Sequence, residues 1–198
     1  MMRNLFFLLF PLILYSNYSD IGPHEVIISG DDFTLSSGQS IEYVFYAPND
    51  IEHTTQVTLV HAFSRQMDTL HELAEHYASW GLGVVTMNLL YSSIFENNPL
   101  QDAQDLRELS NHLSDGRDVI YIGHSSGAMR TIVAASEDSN AIAVLGLDLT
   151  DGAYEDSGGE FLGLAYARTS SIPIWGLLAE PSSCNANGNG INVYLEAE

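Results

Sequence analysis

Five consecutive residues, Gly123-His124-Ser125-Ser126-Gly127, have the types and spacing of a serine nucleophile on a tight turn. The chemistry is attack on an acyl carbon, and glycine is needed on both sides so that neighbouring backbone can come close. An apolar strand, Val119 to Ile122, leads into the motif, and a run of small and apolar residues from Ser126 to about Ser136 leads out as a helix. That strand–turn–helix context separates the motif from a glycine-rich turn whose serine only caps a helix. Ser126 follows the turn and is not itself the nucleophile. Its backbone N–H opens the helix, so it is a candidate oxyanion donor assisted by the helix dipole.

These positions need a frame, and its order is readable. Glu25 to Ser29 and Ile41 to Tyr46 read as strands separated by a Gly/Ser/Asp-rich turn region, and Gln56 to His61 as a buried strand. Thr69 to Trp80 reads as a helix: Leu70, Leu73, Ala74 and Tyr77 recur at helical spacing, Thr69 with Glu72 makes a capping box, and Gly81 stops it. Gly83 to Asn88 is the next strand. Asn98 and Pro99 then read as N-cap and first position of a helix that ends at Gly116. Asp118 to Ile122, Ile142 to Leu147 and Ile172 to Leu178 complete the strands. Alternating strands and helices predict an α/β fold, a mostly parallel sheet with flanking helices, whose first two strands form an antiparallel edge. Asp148 to Gly163, rich in glycine and acid, reads as a surface loop at the carboxyl end of a strand, where ligands bind in such sheets.

With the serine motif, two further signals carry a resemblance: His61-Ala62-Phe63 at the end of one strand, and Gly146-Leu147-Asp148 at the end of another, 23 residues beyond Ser125. Over about Val57 to Pro181 the sequence resembles the serine α/β-hydrolase superfamily, and is most similar to its chlorophyllase-like and pancreatic-lipase-like esterases. The resemblance implies Ser125 as nucleophile, Asp148 as the acid that orients a histidine, and the N–H groups of Phe63 and Ser126 as the oxyanion hole. Asp151, three residues on, and Glu180, after the strand Ile172 to Leu178, are the alternative acids. Ala62 departs from the glycine usual in this loop. The implied activity is hydrolysis of a small-molecule or lipid carboxylic ester through an acyl-enzyme, without a cofactor. A secreted pseudoenzyme or binding module of the same fold is the alternative.

In that superfamily the histidine follows the acid in sequence, yet the chain's histidines are His24, His53, His61, His71, His76, His112 and His124, all before Asp148. His124 points away across the turn, and His61 is expected to brace the Phe63 loop by hydrogen bonds. The chain is therefore expected to lack the last strand and helix, to be inactive alone, to leave Ile172 to Leu178 exposed, and to have lost the partner of its single cysteine, Cys184.

Composition bounds the rest. The 198 residues are 45% hydrophobic, enough for one domain, and the formal net charge of -20, with six arginines and no lysine, argues against nucleic acid or an anionic membrane as partner. Arg3, the apolar run Leu5 to Leu14 and the polar Ser16 and Ser19 read as a signal peptide over 1–19, with the domain over 20–198 and a secreted or periplasmic location. Ten apolar residues fall short of the ~20 that span a bilayer, so no stable membrane anchor is expected. His71 and His76 are five apart, about 140° around a helix, which is the wrong spacing for a zinc pair. The acids of Asp148 to Glu160 lack calcium-loop spacing. Asn187-Gly188-Asn189-Gly190 reads as a turn rather than a phosphate cradle, and no dinucleotide fingerprint is present. Trp80 and Trp175 read as core and sheet-face residues.

Overall fold

The computed structural model describes residues 17–154 and 158–197. The Leu5 to Leu14 run lies outside the described residues, as do the loop acids Glu155 and Asp156. Seven strands form one sheet: β1 (Val26–Thr34), β2 (Ser40–Pro48), β3 (Thr55–Val60), β4 (Gly83–Met87), β5 (Asp118–His124), β6 (Ala141–Leu147) and β7 (Ile174–Leu177), in the order β1-β2-β4-β3-β5-β6-β7. The β1–β2 and β2–β4 pairs are antiparallel and the other pairs parallel. The antiparallel edge and the parallel centre agree with the sequence pattern. β1 runs five residues further than expected, through Gly30-Asp31-Asp32, because it pairs with β2 along its whole length while most of its side chains stay in solvent. The turn falls instead at Leu35 to Gln39.

Buried strands explain the apolar runs: every residue of β4 and five of the six in β3 are buried. The helices are α1 (His71–Ser79), α2 (Pro99–Ser114), α3 (Ser126–Ser136), α4 (Leu162–Ala167) and α5 (Ile191–Glu196). One face of the sheet packs Val60, Val85, Tyr121 and Val144 against Leu106, Leu109, Met129 and Ile132 of α2 and α3, with Val193 of α5. The other packs Val57, Leu59, Val84 and Ile122 against Ala74 and Ala78 of α1. Beyond α1 this second face has no helix over β6 and β7 among the described residues. Trp175 and Leu177 project there 60% and 64% exposed, beside Leu145 and Leu147 in register.

Two local readings are corrected. The expected Thr69–Glu72 capping box does not form: the chain enters α1 through a 3-10 turn, Met67–Leu70, and the Thr69 hydroxyl donates to the Gln66 carbonyl instead. Trp80 is half-buried rather than core; it packs on Tyr18 and its indole N–H donates to the Asp20 carbonyl. By contrast, Asn98 does cap α2, accepting from the Gln101 N–H at 3.1 Å, with Pro99 first in the helix.

Candidate active site

Ser125 sits between β5 and α3 at φ 54°, ψ −124°, a conformation costing an L residue about 1–3 kcal/mol. The two glycines make it possible. A Cβ on Gly123 would lie 2.4 Å from the Ala128 nitrogen, and one on Gly127 would lie 2.3 Å from the His61 carbonyl oxygen. The first contact lets α3 start immediately behind the turn. The second brings α3 against the end of β3. The Ser125 N–H is tied to the Leu147 carbonyl at 2.9 Å, which joins the turn to the end of β6. Its hydroxyl donates to Thr150 Oγ1 at 3.3 Å.

Phe63 lies in the loop after β3, 36% exposed. His61, 1% exposed, fixes that loop from inside: Nε2 accepts the Leu89 N–H at 3.1 Å, so Nδ1 carries the proton and donates to the Ala62 carbonyl at 2.8 Å. Burial holds the His61 pKa below the ordinary imidazole value, against the raising effect of the Ala62 bond. Ser64, at φ 52°, donates its N–H to the Ser92 carbonyl at 2.8 Å. Among the described residues, neither the Phe63 N–H nor the Ser126 N–H donates to another group of the chain.

The three candidate acids differ sharply. Asp148 follows β6 at φ 51°, partly buried; its Oδ1 accepts from the Ala179 N–H and Asn185 Nδ2, each at 3.1 Å, and its other oxygen accepts from none of the described residues. The Tyr194 side chain lies over Gly146 and Gly176: a Cβ on Gly146 would meet its hydroxyl oxygen and one on Gly176 its ring carbon Cζ, each at 2.1 Å. Burial, then the Asp148 charge, pushes the Tyr194 hydroxyl pKa up. Asp151 is buried with both oxygens engaged: Oδ1 accepts from the Gly152 and Gly163 N–H groups, Oδ2 from Leu164. It caps α4 from a distance, and burial still raises its pKa despite those three donors. Glu180 is exposed, and its backbone carbonyl, not its side chain, accepts from Asn185.

None of the seven histidines hydrogen-bonds Ser125. His124 is exposed beside it, His24 pairs with Asp50, His71 bonds Tyr46, His76 bonds the Tyr18 carbonyl, His112 stacks on Phe33, and His53 packs beneath Gly83. No group of three or more metal-ligating side chains occurs among the described residues. A cavity of about 490 Å³ between α1, β1 and residues 21–25 shares no lining residue with the serine turn.

Sequence reasoning missed Thr150 and a buried ion pair under the turn. Arg130 and Asp102 are both fully buried, with Nε 2.7 Å from Oδ2. Burial pushes the Asp102 carboxyl up and Arg130 pulls it back down. A lone arginine in the apolar helix sequence of α3 was the available signal.

Solved structures place this architecture. An esterase from an Arctic intertidal metagenomic library superposes with a TM-score of 0.68 at 14% identity, over 86% of this chain and 80% of that one. A putative dienelactone hydrolase from Klebsiella pneumoniae superposes with 0.64 at 12% identity, over 86% and 80%. The α/β hydrolase GrgF from a Penicillium species gives 0.58 at 14% identity, over 64% and 47%, so the chain spans about half the length of that protein. The fold is that of the α/β hydrolases. Neither a family model nor a curated protein sequence matches the chain. Within the α/β-hydrolase fold, Ser125 occupies the strand-to-helix turn and Asp148 the end of the next strand over.

Proposed function

We propose that this chain carries the nucleophile, the orienting acid and the oxyanion donors of an exported serine esterase. The observation that carries this reading is the Ser125 backbone, left-handed between two glycines that admit no Cβ. Ser125 Oγ attacks the acyl carbon of a carboxylic ester, a tetrahedral oxyanion forms against the Phe63 and Ser126 N–H groups, the alcohol leaves, and water releases the acid. Asp148 is favoured over Asp151 as the acid because it keeps an oxygen for a histidine N–H, whereas both oxygens of Asp151 are held by backbone donors. Glu180 stands third. None of the seven histidines is bonded to Ser125, so the base that takes its proton is not among the bonds this chain makes to the serine. The Leu5 to Leu14 run supports export. Alone, the chain is inactive or nearly so, and Thr150, which is no base, as the partner of Ser125 favours the second reading, a binding module, for the isolated chain.

Chemical rescue tests this. Imidazole in solution stands in for the missing base during turnover of a p-nitrophenyl ester. The expected result is imidazole-dependent turnover above the protein-free background that vanishes in Ser125→Ala. Equal rescue in Ser125→Ala would remove the nucleophile assignment. Labelling of Ser125 by a fluorescent phosphonate without imidazole would show that the chain holds its own base.

A further inference from the structure

Arg130 reaches three partners from full burial. Its Nε donates to Asp102 Oδ2 at 2.7 Å, one terminal nitrogen to the Ser126 carbonyl at 3.2 Å, and the other to Asn97 Oδ1 at 2.7 Å. Each bond goes to a different segment. Ser126 is the first residue of α3. Asn97 closes the loop before α2 through its bridge to Ser92, and Ser92 accepts the Ser64 N–H beside Phe63. Asp102 in turn takes the Tyr91 N–H at 2.9 Å at the foot of the same loop. The two segments bearing the unpartnered Phe63 and Ser126 amides are thus joined through one guanidinium.

We infer that Arg130 is a positioning residue that holds the Phe63 and Ser126 N–H groups in a fixed relation to one another. The inference rests on reading those amides as the oxyanion donors. An apolar core position gains nothing from a buried ion pair that apolar side chains of equal volume would not supply, so stability alone does not account for it. A planar fork with donors in fixed directions does account for it: only arginine satisfies an acid, a carbonyl and an amide oxygen at once. Lysine keeps the charge opposite Asp102 but lacks the fork.

The test is Arg130→Lys, read two ways on the whole chain. Amide exchange is followed at Ser64 and at Ala128, whose N–H groups bond Ser92 and Ser125. The reference amide is His24, bonded to the remote Ser79 carbonyl. Affinity for butylboronic acid is the second readout: Ser125 Oγ bonds boron, its proton passes to buffer, and the tetrahedral boronate anion occupies the oxyanion position. The expected result is unchanged near-UV circular dichroism, exchange about 10-fold faster at Ser64 and Ala128 together but unchanged at His24, and boronate binding weaker by about 10-fold or more. Wild-type exchange at either Ser64 or Ala128, or wild-type boronate affinity, overturns the inference. Where Arg130→Lys does not fold, the charge-neutral pair Arg130→Met with Asp102→Asn is read in the same way, because Asn still accepts the Tyr91 N–H and no lone charge is buried. Boronate binding that is equally absent from the wild type and Ser125→Ala removes the serine reading instead, and exchange at the two amides then decides the coupling alone.

Discussion

Gly127→Ala is the sharpest structural probe of the serine turn. Its Cβ would stand 2.3 Å from the His61 carbonyl oxygen and 3.0 Å from that of Val60. Both obstacles are backbone of β3 and its loop, so no side chain can swing aside. Ordinary carbon contact begins near 3.5 Å, so α3 and β3 must part by about 1 Å. Overpacking of this kind costs about 1–3 kcal/mol. At about 2–4 °C per kcal/mol for a domain of this size, Tm should fall by about 2–12 °C. The control is Gly30→Ala in β1, where the nearest atoms are 3.6 and 3.8 Å away and the substitution should change stability by less than ~1 kcal/mol. Thermal and urea unfolding of both variants by circular dichroism decides the matter. A Gly127→Ala protein melting within about 1 °C of Gly30→Ala would show that the close approach of α3 to β3 is not what this glycine serves.

Three further outcomes are expected. His61 is held neutral by burial, with a folded pKa below the unfolded value of ~6.5. Its contribution to stability is full above pH ~6.5 and is lost as pH falls towards the folded pKa, so the urea concentration needed for unfolding should fall on acidification, and His61→Gln should flatten that slope. Asp151→Ala removes the acceptor of three backbone N–H groups and should cost about 1–3 kcal/mol in urea unfolding; a loss below ~0.5 kcal/mol would show that α4 does not depend on it. Leu177→Lys, on the uncovered face of β7, should raise the concentration at which the chain stays monomeric in sedimentation without lowering Tm; unchanged self-association would show that this face is not the adhesive one.

The parts of this fold that local sequence dictates were legible. Asn98 before Pro99, the small-residue helix from Ser126 to Ser136 and the Val-rich strands each carry their signal within a few residues. What escaped depends on distance. α4 is only six residues long, too short for a helical period, and its cap is Asp151, eleven residues before the helix begins. The Thr69–Glu72 pattern matched a capping box, but a 3-10 turn shifted the start of α1 to His71. Arg130 and Asp102 lie 28 residues apart on different helices. Of the candidate site, the placement of Ser125 and Asp148 was legible because each directly follows a strand. Thr150 and the Arg130 fork were not, because what matters there is which loops meet above the sheet.

The backbone at Ser125 ties these points together. Left-handed φ costs a serine more than a glycine, and glycine at that position would relieve about 1–3 kcal/mol of strain. The two flanking sites are already glycine, where close packing leaves no room for a Cβ. A turn serving only to join β5 to α3 would be more stable with a third glycine at its centre. The strain at Ser125 is instead offset by surrounding contacts: the Leu147 carbonyl on its N–H, α3 packed behind Gly123, and β3 against Gly127. Those contacts hold one hydroxyl above the carboxyl ends of the strands, in a conformation that a turn serving only the fold would not need; under the proposed reading its benefit is the hydroxyl's chemistry.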